Sequence, residues 1–512
     1  MGRNVLFITM DQWRGDCLSA LGHPIVSTPA LDRLASAGVL FSNHWANAAP
    51  CGPSRACLYT GTYLFHNRSV ANGTPLDARF TNIALLARAM GYDPVLFGYT
   101  DTSVDPATVA PDDPRLRSYE EVLPGFRAIV HDPFEKGSPA WGRWLASKGV
   151  DVPANPHDLY LPIEGFPDAQ SHGSTWAPAR FGPEHSQSAF ITESVIDYLN
   201  HHADECFFVH ASYIRPHPPR RNPIGYHDLY DADALPDFVG HANFESEATA
   251  HPLNNVAMRL PVVGAPQDER ERRQMRATYY GAQREVDEQL ARLFGYLAES
   301  GLDRDTLVVV TSDHGEMGGD HWLFEKLGYW DESFHVPLII VDPRMTSTAG
   351  SVIDAFTEAV DLLPTLCEWI GSPLPLQADG FSLYPMIKSG IAPEHWRQSA
   401  HFEWDFRNWR SRIGGVFGAL PLDHCSLIVQ RGKDFKYVQF GADPRILPPL
   451  LFDLRGDPQQ LHNLWFDAAS TDLALREVQE MLQWRMRFNE RGYSSYLLTA
   501  AEGLVIGSDE WR

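Results

Sequence analysis

Up to about residue 370, two kinds of apolar pattern alternate along the chain. Continuous runs rich in β-branched and aromatic residues, at 4–10, 94–98, 206–209, 307–310 and 336–341, read as strands covered on both faces. Between them apolar residues recur at helical spacing. They are Leu31, Leu34 and Ala35 within 29–38, a repeat within 82–90 stopped by Gly91, then Ile191, Val195, Tyr198 and Leu199. A longer helix over about 272–300 carries Val286, Leu290, Leu293, Phe294 and Leu297 and stops at Gly301, and one at 362–370 closes the series. Strands alternating with helices predict an α/β domain whose sheet is sandwiched by helices. Stretches 105–183 and 228–268 lack clear periodicity. The first is expected to run over the sheet edge or site rim and to shape substrate choice.

Beyond about residue 371 the pattern changes to short strand candidates at 426–429, 435–440 and 450–454, separated by turns. One amphipathic helix follows, its apolar side carrying Leu475, Val478, Leu482 and the run from Trp484 to Met486. This divides the chain into a catalytic domain, 1–375, and a smaller C-terminal domain, 376–512, with an antiparallel sheet, a helix and a tail. The tail at 496–506 is apolar for a terminus; it either clamps a neighbouring subunit or packs on its own domain. A homo-oligomer, dimer or tetramer, is expected.

Polar residues stand where the predicted strands end. Asp11 closes the first; Tyr99 and Asp101 follow the second; His210 and the turn Arg215-Pro216-His217-Pro218-Pro219 follow the third; Ser312-Asp313-His314-Gly315 follows the fourth. Sites in open α/β sheets form beyond the carboxyl ends of the strands, so Asp11, Asp313 and His314 are expected on one edge. Two carboxylates beside an imidazole suit a divalent metal.

Composition narrows the partners. With 44 % hydrophobic and 21 % charged residues, the 512-residue chain reads as an ordinary globular protein. No apolar run reaches membrane-spanning length, and the chain start reads as a strand with no signal-peptide layout, so a cytoplasmic protein without a membrane partner is expected. Six scattered cysteines without a CxxC pair fit a reducing compartment. A net charge of −23 argues against a nucleic-acid partner. Acidic residues are nonetheless missing from 33–76, which holds Cys51, Arg55 and Arg68, and from 206–227, which holds Arg215, His217, Arg220 and Arg221. These gaps suggest a positive funnel for a small anion.

The first gap contains the segment around which the rest is organised, Pro50-Cys51-Gly52-Pro53-Ser54-Arg55. Its prolines and glycine are expected to keep a helix from starting before Ser54, a good N-cap. Cys51 would then sit just ahead of a helix N-terminus, where negative charge is favoured. A cysteine-dependent phosphatase loop would need Arg six positions after the nucleophile, and that position is Cys57. The order Cys51-x-Pro53-x-Arg55, continued by Leu58-Tyr59-Thr60-Gly61, resembles the signature at which sulfatase maturation enzymes oxidise a cysteine to formylglycine. With Asp11-Gln12-Trp13-Arg14, the Arg215 turn, residues 312–316 and Glu325-Lys326, nearly the whole chain resembles the sulfatase family of the alkaline phosphatase superfamily. The branch it resembles holds phosphonate monoester hydrolases and their arylsulfatase relatives.

The resemblance implies a doubly wound mixed sheet with a smaller C-terminal domain, and formylglycine made from Cys51 by a formylglycine-generating enzyme. It implies one divalent ion held by Asp11, residue 51, Asp313 and His314; the imidazole favours Mn²⁺, with Zn²⁺ or Ca²⁺ as alternatives. Arg55 would steady the hydrated aldehyde, and Asn72, Tyr99, His217 and Lys326 would contact a small anionic ester. Asp101 stands among them where phosphonate monoester hydrolases tend to carry Thr, and a carboxylate there calls for an Arg or a cationic substrate group to balance it. In the implied mechanism one diol oxygen attacks sulfur or phosphorus in line, His217 protonates the leaving oxygen, and Lys326 holds the non-bridging oxygens. The expected activity is hydrolysis of sulfate monoesters, with phosphonate monoesters or phosphate diesters as the alternative. A metal or anion sensor with an unconverted Cys51 is a third reading from another class.

Overall fold

The first apolar run becomes β1 (Asn4–Met10), buried along its whole length because it lies in the middle of a nine-stranded sheet. The protein is described by a computed structural model covering residues 4–409, 415–489 and 496–506. The remaining strands of this sheet are β2 (Val39–Trp45), β4 (Pro94–Gly98), β5 (Arg127–His131), β6 (Phe208–Tyr213), β7 (Thr306–Thr311), β8 (His335–Val341), β9 (Ser351–Ile353) and β10 (Thr357–Glu358). Their order is β10-β2-β8-β7-β1-β6-β4-β5, with β9 also beside β2. β8 runs antiparallel to both its neighbours, and the other pairings are parallel, so the sheet is mixed as expected.

Successive residues of β1 point to opposite faces, and each face has its own helical cover. Leu6, Ile8 and Met10 pack with α1 (Pro29–Ala37), the helix Gln187–His201 and the long helix Glu269–Ser300 through Leu31, Val195, Leu290 and Leu293. Val5 and Phe7 pack on the other side with α2 (Cys51–Thr60) and the helices Ile83–Ala89 and Leu362–Ile370. Burying each such aliphatic or aromatic side chain contributes about 1.5–3 kcal/mol.

A second sheet is built from β11 (Ser399–Asp405), β12 (Ser426–Gly432), β13 (Phe435–Phe440) and β14 (Leu450–Asp453), all antiparallel. It is extended by β3 (Ala48–Ala49), which pairs in parallel with β11. The two residues just before Pro50 and Cys51 thus join the sheets.

Several expectations are corrected. The stretch 105–183 contains β5 and the helix Pro139–Ser147. β5 is an edge strand with mixed exposure, and the helix is too short to show a clear period. The stretch 228–268 holds the short helices Phe244–Ala250 and Pro252–Ala257. β6 runs on through His210 to Tyr213, since polar groups inside it find partners. In the C-terminal helix Thr471–Arg487 the buried face is Ala474, Glu477, Met481 and Trp484, while Leu475, Leu482 and Met486 are exposed. On that face Ala474 and Met481 pack with Tyr437 and Leu451, Trp484 packs with Tyr63 and Phe488, and Gln430 Nε2 donates to Glu477 at 3.0 Å. The apolar tail forms a hairpin, Tyr496–Thr499 with Gly503–Ile506, whose Leu498 and Leu504 are exposed.

His210 shows how a polar residue is kept inside the sheet. Its Nδ1–H donates to the Phe7 carbonyl at 3.1 Å, leaving Nε2 to accept from the Tyr59 hydroxyl at 2.9 Å. Burial pushes His210 down to about 3, from an ordinary 6.5, and does the same to His44 and His401. The unfolded chain binds protons at these rings below its ordinary value and the folded chain does not. Stability is therefore complete above about pH 6.5 and is lost as pH falls toward 3. Thermal unfolding from about pH 7 to about pH 4 should show a falling midpoint. His210→Phe should flatten that fall by up to about 1.4 kcal/mol per pH unit, and an unchanged slope would show that this ring does not carry the effect.

Candidate active site

Strand register sets the first two groups. Thr9 pairs with Thr311, so two residues beyond the ladder Asp11 stands level with Asp313. α2 brings Cys51 to them, with a correction to its expected start. The helix begins at Cys51, with Pro50 as its N-cap and Gly52 and Pro53 inside its first turn, where a missing N–H costs nothing. Ser54 is not the cap; its hydroxyl donates to the Asp313 carbonyl and its N–H bonds Pro50 O at 3.1 Å. Asn72 Oδ1 instead accepts from the otherwise unpaired N–H of Gly52 at 2.9 Å.

Asp11, Cys51, Asp313 and His314 are all buried, and one ligating atom from each lies within 4.8 Å of the others. His314 Nε2 is 3.1 Å from Cys51 Sγ, 3.8 Å from Asp11 Oδ1 and 3.9 Å from Asp313 Oδ1. Its Nδ1 bonds the carbonyl of Gly315 at 3.1 Å, which leaves Nε2 as the ligating nitrogen. One turn along α2, the fully buried Arg55 guanidinium donates to Asp313 Oδ2 at 2.8 Å, Asp11 Oδ2 at 3.1 Å, Ser212 Oγ at 2.9 Å and the Tyr99 carbonyl at 3.1 Å. The Tyr99 hydroxyl donates to Asp11 Oδ2, and its ring lies 4.3 Å from the guanidinium carbon. Arg55 therefore grips the two carboxylates rather than residue 51.

The electrostatics follow from this crowding. Burial, and then the facing Asp313, push Asp11 above the ordinary carboxylate range. Burial opposes ionisation of Asp313 as well, but the His314 ring and Arg55 hold it well below that range. Burial and the nearby Asp11 push the Cys51 thiol far up, so the encoded cysteine is a protonated thiol and a poor nucleophile.

Around this centre lie the other residues singled out from the sequence. Lys326, whose side chain is 9 % exposed, donates to Gln12 Oε1 at 2.6 Å; the neighbouring Cys51, Glu325, Asp11 and Asp313 outweigh its burial and raise it above the ordinary lysine value. His217 is half-buried, and its Nδ1–H donates to the Pro218 carbonyl at 2.7 Å. Burial and Lys326 push its ring down to about 3, so it is neutral at physiological pH. Asp101 is buried, lies in the left-handed region at φ 48°, and is pushed up to about 7 by burial.

Gln12, Glu316 and Glu325 carried no assigned role in the sequence reading, and Arg220 only one in the basic funnel. Gln12 Nε2 donates to Glu316 and to Glu325 at 3.2 Å, and Arg220 bonds Glu325 at 2.5 Å and Glu316 at 3.2 Å. The polar residue directly after Asp11 was the available signal for Gln12. The expected basic funnel is corrected here. Arg220 is neutralised by this pair, Arg215 is spent on the carbonyls of His217 and Pro219, and Arg221 on those of Ala177 and Ser174. Lys326 lines a cleft with Pro50 and Asn72, beside the segment that carries Cys51.

The sequence pattern described as Sulfatase matches residues 3–372. The chain belongs to the sulfatase family. A second pattern, N-sulphoglucosamine sulphohydrolase, C-terminal, matches residues 319–487 of this sulfatase. Over 509 residues it is 40 % identical to the multifunctional alkaline phosphatase superfamily protein PehA of Trinickia caryophylli, covering 96 % of this chain and 97 % of that one. The crystal structure of the phosphonate monoester hydrolase of Agrobacterium radiobacter superposes with a TM-score of 0.90 at 40 % identity, covering 99 % of this chain and 100 % of that chain. An arylsulfatase of Clostridium perfringens is 28 % identical over 515 residues, covering 96 % of each chain. The sulfatase is thus a member of the alkaline phosphatase superfamily and a hydrolase of sulfate or phosphonate esters.

The four donors fit a divalent cation, because two buried carboxylates facing each other beside an imidazole need more positive charge than one guanidinium supplies. Arg55→Ala should lower stability by about 3–5 kcal/mol by leaving two buried carboxylates uncompensated. Thermal unfolding in chelator reads this directly, and a midpoint equal to wild type would show that Arg55 does not support the pair.

Proposed function

We propose that this sulfatase hydrolyses singly charged tetrahedral esters, with Cys51 converted to formylglycine and one divalent ion held by Asp11, residue 51, Asp313 and His314. The observation that carries the reading is the convergence of these four groups at the first turn of a buried helix. Mn²⁺ is the favoured ion, because one ligand is an imidazole. When bound, the ion would act as a Lewis acid that lowers the pKa of the nucleophile. Formylglycine would supply that nucleophile as a hydrated aldehyde, which the buried thiol cannot match.

The side chains divide the remaining work. Arg55 holds Asp313 ionised and keeps both Asp11 and Asp313 in register. Asn72 fixes the start of α2, and Tyr99 orients Asp11. Lys326, steadied by Gln12, offers its ammonium to the non-bridging oxygens of the ester. His217 is neutral in the free protein with Nε2 as its open nitrogen, so it can protonate the leaving oxygen only after taking up a proton, which an arriving anion favours.

Likeness along the whole chain to a phosphonate monoester hydrolase supports phosphonate monoesters and phosphate diesters as preferred substrates. The family pattern and the arylsulfatase relative support sulfate monoesters as a second class in the same site. Cys51→Ala should abolish turnover with the fold retained, and full activity would dismiss the nucleophile assignment. Peptide mass spectrometry should find formylglycine or its hydrate at position 51; a thiol in every preparation would favour a sensor. Elemental analysis should find about one ion per chain in the wild type and little in Asp313→Asn. The ratio of kcat/KM for a phenyl phosphonate ester to that for an aryl sulfate decides the preference, and a ratio below one would reverse it.

A further inference from the structure

Two cations near the nucleophile use their charge differently. Arg220 donates through a single nitrogen, Nη2, to Glu325 at 2.5 Å and to Glu316 at 3.2 Å, and its guanidinium lies over the Phe324 ring at 4.8 Å. Its Nε is buried without a hydrogen-bond partner, so among the described residues its side-chain hydrogen bonds go to these two carboxylates. Lys326, next to Glu325 in the chain, turns away from it. Its ammonium donates to the neutral amide oxygen of Gln12 at 2.6 Å, while the Glu325 carboxylate lies at 3.5 Å, beyond ordinary N–H···O distances. Gln12 presents that oxygen because its Nε2 is engaged by Glu316 and by Glu325 at 3.2 Å. Gln12 and Glu325 both hold a left-handed backbone at φ 69°, a conformation that side-chain-bearing residues keep only where their surroundings enforce it.

On charge alone this arrangement is unfavourable. A largely buried ammonium gains more from a carboxylate than from a neutral amide, so its preference for Gln12 depends on Glu325 being occupied already. Glu316 has other holds, since the N–H groups of Gly318 and Glu325 donate to its Oε1 at 2.8 and 2.7 Å. Glu325 relies on Arg220 at 2.5 Å and on Gln12 at 3.2 Å. Without Arg220, Glu325 would be the less satisfied of the two, and a buried carboxylate that has lost its partner is strongly unfavourable. The adjacent ammonium is the cation placed to relieve it. Glu325 and Lys326 both line the cleft that Pro50 and Asn72 border, so a shift of the ammonium onto Glu325 is a shift within the site. Arg220 comes from outside this loop, directly after the turn Arg215–Pro219 that carries His217.

We propose that Arg220 is a positioning residue for Lys326: by occupying Glu325 it keeps that carboxylate from capturing the ammonium, which stays on Gln12 with its charge available to the non-bridging oxygens of the ester. The proposal rests on the ester-hydrolase reading above, in which Lys326 meets the substrate, and it assigns the group that keeps Lys326 free to do so. Arg220 acts through its neighbours and does not touch the ester. Because it directly follows the His217 turn, the same contact ties that turn to the loop of Lys326.

The test compares kcat/KM of wild type, Arg220→Met and the double variant Arg220→Met/Glu325→Gln on whichever of a phenyl phosphonate ester and an aryl sulfate wild type turns over faster. Arg220→Met, whose side chain can still pack on Phe324, should lose about tenfold or more. Adding Glu325→Gln removes the competing charge and should recover most of that loss, a rescue that a purely structural role would not give. A double variant that recovers none of it would overturn the proposal, and so would full activity in Arg220→Met. Should Arg220→Met fail to fold, Arg220→Lys reads the same point. Both carboxylates are met through one nitrogen, so an ammonium can take its place; kcat/KM should stay within about threefold of wild type, and a larger loss would overturn the proposal. Full activity in Lys326→Ala would mean that the role given to Lys326 in the ester-hydrolase reading has failed. The position of the ammonium is then read without turnover, as the rate at which acetic anhydride acetylates Lys326, followed by peptide mass spectrometry. That rate should fall severalfold in Arg220→Met and return in the double variant, and equal rates in all three proteins would overturn the assignment.

Discussion

One buried guanidinium organises the centre of this protein. Arg55 reaches from α2 to Asp313 after β7, Asp11 after β1, Ser212 in β6 and the Tyr99 carbonyl after β4, so four neighbouring strands of the sheet are tied to one side chain. Two carboxylates this close would repel, and burial would push both toward their neutral forms. The guanidinium helps keep Asp313 ionised and offsets part of the cost at Asp11, and the planar fork fixes the direction in which their free oxygens point. Because Arg55 stands one turn after Cys51, the same contact sets the position of residue 51 against Asp11 and Asp313.

The second sheet is part of this arrangement. β3 pairs with β11 and leads through Pro50 into α2, so the nucleophile's segment is anchored to both sheets. β11 also supplies Trp404 to the cleft beside Asn72 and Lys326. A change in the packing of the smaller sheet would therefore be felt in that cleft.

Around the centre, charge alternates with little slack. Lys326 meets Gln12, Gln12 meets Glu316 and Glu325, and both carboxylates meet Arg220. Such a buried network is stable only when each member is satisfied, and this gives weight to the members that are not. Within it Arg220 Nε is buried without a hydrogen-bond partner, and elsewhere in the site Asp101 Oδ1 is too.

What the sequence determined by itself was the set of local patterns: buried strands as unbroken apolar runs, helices by their period, and Asp11, Asp313 and His314 as polar residues at strand ends. The segment from Cys51 to Arg55 was legible for the same reason, since its chemistry is carried by neighbours in the chain. Tertiary structure decided everything that depends on partners far apart. It started α2 at Cys51, because proline lacks only a hydrogen bond that the first turn does not make. It turned the C-terminal helix onto Met481 and Trp484, because Tyr437, Leu451 and Tyr63 were there to pack on them, with Gln430 from β12 bonding Glu477 on the same face. It tied Arg215, Arg220 and Arg221 to acceptors within the fold instead of leaving them in the expected funnel, and it placed Arg55 on Asp313, 258 residues away. Periodicity reports backbone geometry over a few residues, whereas hydrogen bonds and ion pairs are settled by whatever the fold brings within about 3 Å.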